Sequence, residues 1–365
     1  MVNHPELDDR IRALGKIVKV LLSIVIGLVL LVMFLFCYIA YVGKGTLVFT
    51  KDPVKVTSDP NPSPVTAIQD TFWHAPEIAT LDSDPDKEKI LLGKDIIANT
   101  AKYFGPKGIV KANATNGMNC QNCHLDAGTR VFGNNYGSVF STYPKYRPRS
   151  GTIENIYKRV TDCFERSLNG IAPDSGSKEM EAIVAYINWV GKDVKKGEKA
   201  AGSGLKELAY MERAADPEKG KAGYEKHCVS CHTTSGSGML NADSSGFIYP
   251  PLWGNNSYNS GAGLFRMGSL ARYIKYNMPQ GVTHDKPILS DEEAWDIAAY
   301  VNSQTRPTKD IRKDWPKINE KPVDHPFGPF HDGFTEQQHK FGPFKPIVKK
   351  RKELEAKNNL INGKK

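Results

Sequence analysis

The residues best equipped for chemistry are the six cysteines and the histidines beside them. Four of the cysteines fall in two matching patterns, Cys120-Gln-Asn-Cys123-His124 and Cys228-Val-Ser-Cys231-His232. C-x-x-C-H is the spacing of covalent c-type haem attachment. Thiols at this separation reach the two vinyl groups of one haem as thioethers, and the adjacent histidine coordinates the iron from the proximal side. A lone C-x-x-C would equally suit a redox dithiol or half a zinc site; two copies with histidine at the same offset favour haem. The expected cofactors are two covalently bound haem c groups, attached through Cys120, Cys123, Cys228 and Cys231 and ligated by His124 and His232.

Each iron needs a ligand on its other face, and a methionine there raises the potential. After the second pattern, Met278 stands before a proline in Tyr276-Asn-Met-Pro-Gln-Gly281, which suits that role. Met239, Met267 and His284 compete with it; Met239 lies close to the attachment site and Met267 at an apparent helix start. After the first pattern, neither methionine nor histidine occurs between His124 and Met180, and Met180 falls in a helical segment that reads as packing. The soft ligand in that interval is Cys163. Ile153, Ile156, Tyr157, Val160 and Phe164 around it follow helical spacing, the pattern of an amphipathic helix. Arg159, Cys163, Arg166 and Ser167 then form one local patch. Arginines surround the sulfur with positive charge, the setting in which cysteines act as nucleophiles and metal ligands. The alternative is a small side chain that merely packs. Thiolate ligation lowers a haem potential where methionine raises it, so the two haems would serve as electron input and output. An arginine cluster near the input haem suggests an anionic substrate, with Arg147 and Arg149 as further members. Haem propionates attract arginines too, and compete for each of them.

The elements that must hold these residues repeat. Helical segments precede the two sites at Asp86–Tyr103 and Pro217–Lys226, and close them at Lys178–Trp189 and Asp291–Ser303. The closing helices share Ala185-Tyr-Ile-Asn188 and Ala299-Tyr-Val-Asn302, and Ser290 with Glu293 makes a capping box. Attachment site, loop and closing helix, twice over, give a mainly α fold of two tandem cytochrome c domains, at 70–191 and 216–305. Residues 192–215 read as a linker, 43–69 as a proline-containing spacer, and 306–365 as a wrapping tail whose basic end from Lys349 is solvated.

Val20 to Val42 carries no charge and is rich in Leu, Val, Ile and Phe, enough helix to cross a bilayer. A cleaved signal peptide is the alternative, but its apolar stretch is shorter, about 7–15 residues with a small-residue cleavage site. A lipoprotein site at Cys37 conflicts with bulky Phe36 before it. A retained single transmembrane helix at 20–42 is therefore expected. Arg10, Arg12, Lys16 and Lys19 against Lys44 and Lys51 place residues 1–19 in the cytoplasm and the rest outside, in the periplasm of a bacterial inner membrane. The net charge of +9 fits an anionic membrane surface or substrate; no nucleic-acid motif accompanies it.

The chain resembles the thiosulfate dehydrogenases, dihaem cytochromes c that couple two thiosulfates into tetrathionate. The likeness covers about 70–348. It is carried by Asn119-Cys-Gln-Asn-Cys-His-Leu-Asp-Ala-Gly128, Tyr146-Arg-Pro-Arg-Ser-Gly151, Cys163-Phe-Glu-Arg-Ser-Leu-Asn-Gly170, Tyr249-Pro-Pro-Leu-Trp-Gly254, Asn277-Met-Pro279, Pro326-Phe-Gly-Pro329 and Gln338-His-Lys-Phe-Gly-Pro343. The resemblance implies His124/Cys163 ligation at a catalytic first haem, His232/Met278 at the second, and a substrate pocket lined by Arg149, Arg159 and Ser167. Some members carry a lysine before the methionine as an alternative ligand; here that position is Asn277, which argues for constant ligation. The implied partners are thiosulfate or tetrathionate and an external acceptor, a cytochrome c or terminal oxidase. The reverse reaction, tetrathionate reduction, uses the same parts. A membrane-tethered electron carrier without substrate chemistry is the competing reading, and Cys163 discriminates between them, since a plain carrier needs only His/Met haems.

Overall fold

The computed structural model describes residues 5–42 and 72–362. The expected spacer, 43–69, lies outside the described residues. The chain divides into two units, Met1–Ile68 and Gln69–Lys365. The first holds helix α1 (Pro5–Val42), long and apolar enough between Val18 and Leu35 to cross a membrane.

The second unit is mainly helical. Helices α2 (Lys87–Ala98) and α3 (Thr100–Phe104) lead to the first C-x-x-C-H, followed by the single turns α4 (Leu125–Gly128) and α5 (Val139–Thr142). Strands β1 (Lys145–Arg147) and β2 (Thr152–Glu154) pair antiparallel, Lys145 opposite Glu154 and Arg147 opposite Thr152. Helix α6 (Ile156–Arg166) carries Cys163, and α7 (Lys178–Val190) closes the first half. The second half repeats the plan with α8 (Pro217–His227), the turn α9 (Val229–His232) and a small hairpin of β3 (Met239–Leu240) and β4 (Phe247–Tyr249). Helices α10 (Met267–Asn277) and α11 (Asp291–Ser303) complete it, and α12 (Glu336–Phe341) and α13 (Phe344–Asn362) end the tail.

Each half is built on one close helix crossing. In the first, α2 lies against α7, with Ile90, Ile96, Ile97, Ile183 and Tyr186 buried between them and around them. In the second, α8 lies against α11 over Tyr224, Trp295, Ile297 and Ala298. Both crossings need glycine. A Cβ on Gly93 would stand 1.9 Å from the Ala182 carbonyl oxygen, and one on Gly220 1.8 Å from that of Asp296. The closing helices are capped as their sequences direct. Ser177 accepts from the Met180 amide, and Ser290 and Glu293 form the full capping box.

Three expectations about elements change. The segment Asp86–Tyr103 breaks at Asn99, whose side chain bonds back to Asp95 while the Thr100 hydroxyl bonds the Ile96 carbonyl. The Cys163 helix begins at Ile156 rather than Ile153. Asn155 caps it by accepting from the Lys158 amide, and Ile153, drawn into β2, is 75% exposed. The basic C-terminal stretch is not wholly solvated, for Arg351 is buried against Asp332 at 2.6 Å. The linker, 192–215, is held in place by packing and hydrogen bonds. Leu208 and Ala215 are buried, the Phe132 and Asn134 amides donate to Gly202 and Gly204, and the Trp295 indole donates to Ala209.

The two halves share side chains. Phe247 of the β3–β4 hairpin belongs to the core of the first half. The Tyr273 hydroxyl of α10 donates to the Asn122 carbonyl inside the first attachment loop, at 2.8 Å. Asn277 is buried and donates to the Phe132 carbonyl at 3.2 Å.

Candidate haem and anion site

One cavity brings together Cys120, Cys123, His124 and Cys163. Its walls are apolar, with Ile97, Val139, Ile156, Val160, Phe164 and Ile183 among them, and Lys145, Arg147 and Arg159 bring positive charge to its lining. His124 is aimed by two contacts. Its Nδ1 lies 2.5 Å from the Asn134 carbonyl, and its ring stacks on Tyr136 with centroids 4.6 Å apart. Burial, aided by nearby Arg159, lowers its pKa to about 4 against the Asn134 bond. The imidazole is therefore neutral at neutral pH, with Nδ1 as donor and Nε2 free to coordinate. Cys120 accepts from Thr100 Oγ1 at 3.2 Å, and burial pushes the thiols of Cys120 and Cys123 up to about 12. None of Cys120, Cys123, Cys163, Cys228 and Cys231 is in a disulfide. An apolar cavity holding a neutral histidine and a pair of protonated, unpaired thiols fits a covalently attached haem.

Cys163 sits one helical turn after Arg159, whose Nη1 donates to its sulfur at 3.1 Å. That sulfur is the main reason Arg159 is held above the ordinary arginine range, against burial. Ser167 lines the same cavity from the end of α6. The rest of the expected patch divides. Arg166 turns away and forms a bidentate pair with Asp314 at 2.7 and 2.8 Å, both side chains about a tenth exposed. Arg149 lines a separate small cavity with Ser260, Arg266, Asp314 and His325, its guanidinium 5.7 Å from the Trp315 ring centroid. Burial, then Arg166 and Arg159, lower the Arg149 pKa to about 10.

Lys145 was not anticipated as part of this lining. Strand alternation could have found it, because Lys145 and Arg147 share one face of β1 while Tyr146 faces out. The Lys145 ammonium is lowered by burial and then by Arg147, Lys199 and Arg159. An ammonium lowered by burial and by neighbouring cations marks a place where an anion would be bound with relief of repulsion. Met118 also lines the cavity, with its sulfur accepting from Asn116.

In the second half, His232 on α9 places Nδ1 2.8 Å from the Pro250 carbonyl, and burial lowers its pKa. Burial pushes Cys228 up to about 12. Met278 is half-buried at the C-cap of α10. Of the other candidates, Met267 is 1% exposed in the core, Met239 lies on the exposed hairpin, and His284 packs edge-on against Phe72 and Phe132. Met180 is fully buried in the first core, as packing requires.

Comparison with known proteins agrees with this division. Residues 109–195 match the family described as SoxA/TsdA, cytochrome c domain, and residues 217–305 match the cytochrome c family. The chain is 36% identical to a thiosulfate dehydrogenase of Thiomonas intermedia over 65% of this chain and 71% of that protein. It is 39% identical to one of Allochromatium vinosum over 53% and 71% respectively. Among solved structures it resembles thiosulfate dehydrogenase (TsdBA) from Marichromatium purpuratum in its as-isolated form. The TM-score there is 0.58 at 30% identity, covering 64% of this chain and about half, 49%, of that one.

Proposed function

Because the chain belongs to the thiosulfate dehydrogenase family, we propose that it oxidises two thiosulfates to tetrathionate at the cavity around Cys163. The observation that carries this reading is the Arg159–Cys163 contact at 3.1 Å inside a cavity that also holds the attachment cysteines and His124. Cytochrome c domains imply haem c; Cys120, Cys123 and His124 would hold one, with Cys163 as its second ligand, and Cys228, Cys231, His232 and Met278 the other. Haem c, when bound, accepts electrons one at a time.

The chain's own residues do the rest. Lys145, Arg147 and Arg159 bind the sulfonate oxygens of thiosulfate, and the arginine forks fix its orientation. Arg159 and Ser167 steady the anion beside the Cys163 sulfur, and Arg149 adds positive potential from the adjoining cavity. The sulfane sulfur of the first thiosulfate bonds to the Cys163 sulfur, and two electrons leave the pair. A second thiosulfate attacks that sulfane sulfur, a sulfur–sulfur bond forms, the bond to Cys163 breaks, and tetrathionate departs from the restored thiolate. Two dianions must meet, so a cationic lining lowers the barrier by offsetting their repulsion. Tetrathionate reduction would use the same residues in reverse.

We also assign 1–19 to the cytoplasm, α1 to a retained membrane anchor, and 70–191 and 216–305 to two periplasmic domains; the haems these would hold would supply one-electron transfer from the first domain to the second and on to an external cytochrome c or terminal oxidase. The length of the apolar helix and the cations before it support the anchor. The test is thiosulfate-dependent ferricyanide reduction by the holoprotein, run beside Cys163→Ser. The wild type is expected to turn over and yield tetrathionate, and the variant to keep both haems while losing at least about 10³-fold in activity. Haems that exchange electrons with ferricyanide but respond to neither thiosulfate nor tetrathionate would leave a tethered electron carrier.

A further inference from the structure

Both segments that bring cations to the site, the β1–β2 hairpin and α6, are held by chain from beyond the second cytochrome c domain. Arg166 ends α6, one turn past Cys163, and its bidentate pair with Asp314 fixes direction as well as distance. Its neighbour Glu165 takes the Lys309 ammonium at 3.2 Å. Next in the tail, Trp315 donates its backbone N–H to the Arg149 carbonyl at 2.7 Å, and its ring lies 5.7 Å from that arginine's guanidinium. Further contacts run the same way: Tyr146 bonds Glu320 at 2.6 Å, and a Cβ on Gly151 would meet Pro316 at 2.5 Å.

Trp315 carries two local penalties. Its φ is +61°, a left-handed conformation that bulky residues rarely adopt, and its buried indole N–H has no hydrogen-bond partner. Strain of this kind survives where the surrounding structure over-determines it, and such places cluster at binding and catalytic sites. The Arg166–Asp314 pair adds a second sign. Buried ion pairs contribute little net stability compared with apolar packing, so a pair at this position is better explained by the geometry it imposes.

We propose that residues 309–315 are a clasp that sets the arginine hairpin against the Cys163 helix, with Asp314 and Trp315 as positioning residues for anion binding. Asp314 fixes the end of α6, so that Arg159 and Cys163 keep their place along the cavity. Trp315 fixes Arg149 at the turn after β1, and through that turn the strand bearing Lys145 and Arg147. The inference rests on the thiosulfate reading above.

The experiment separates positioning from stability. In the holoprotein, the double variant Arg166→Met/Asp314→Leu replaces the pair with apolar groups, an exchange that buried pairs tolerate without loss of stability. Trp315→Ala removes the ring beneath Arg149, and Trp315→Phe keeps a ring but lacks the N–H. The double variant and Trp315→Ala are expected to raise the thiosulfate KM about tenfold with kcat changed less than about threefold. Both should also shift the electron paramagnetic resonance signal of the first ferric haem, while Trp315→Phe stays near wild type. Wild-type KM and an unshifted signal in the double variant and in Trp315→Ala would overturn the clasp and leave a merely structural contact. If the wild-type protein itself did not oxidise thiosulfate, the functional reading would fail separately. The clasp would then be judged on the haem signal, and an unshifted signal would end it.

Discussion

At the residue scale, the Cys163 site depends on a single helical turn. Arg159 and Cys163 stand four apart on α6, which by itself puts the guanidinium over the sulfur. Lysine at that position keeps the charge but loses the fork that can hold a sulfur and an oxyanion together. Arg159→Lys is therefore expected to lower kcat/KM for thiosulfate by about 10- to 100-fold, measured by ferricyanide reduction, with both haems retained. This pair was legible in the sequence because spacing alone dictates it. Arg166 was not, though it lies three residues from Cys163. Spacing gives the quadrant of a helix but not the partner, and here the partner is Asp314, far along the chain. Lys145 is marked by the alternation of β1, a signal only three residues long.

At the element scale, the caps and the closing helices follow from short local rules. Asp291–Ser303 forms as expected, and Lys178–Trp189 extends by a single residue. The helix crossings do not follow, because Gly93 and Gly220 are marked only by neighbours distant in sequence. Gly220→Ala would drive a methyl into the Asp296 carbonyl, and backbone cannot swing aside as a side chain can. The expected loss is about 3 kcal/mol or more, read as a fall in the melting temperature of the holoprotein. The start of α6 was misjudged because Ile153 continues the apolar period of the helix by chance. The Asn155 cap and the pairing of β2 overrule that period.

At the scale of the molecule, the tail is bound by charge that is out of water. His339 is fully buried, its Nδ1 2.7 Å from the Val323 carbonyl and its Nε2 3.0 Å from Asp332, and Phe330 stacks on its ring at 3.6 Å. Burial pushes the Asp332 carboxyl up, but hydrogen bonds from Arg351 and His339 outweigh it and leave the pKa below the ordinary 3.8. A carboxyl lowered on folding contributes stability that is present above its unfolded value and lost as pH falls through the folded one. Acid melts from pH 7 downward should therefore lose stability below about pH 4, and Asp332→Asn should flatten that part of the profile. The sequence led us to expect a tail over 306–365. It could not indicate that Arg351, in a run of lysines, points inward, since only the burial of Asp332 decides that.

The β3–β4 hairpin bears on how such a chain can be inherited. Its Phe247 fills the interior of the first half although it is encoded with the second. The duplication still visible in the paired haem motifs has thus ceased to be a pair of interchangeable modules. A recombination breakpoint anywhere in the linker would leave one parent's phenylalanine facing another parent's interior. New functions would more readily be gained by adding domains at the ends of the chain than by exchanging the half that carries the second C-x-x-C-H motif.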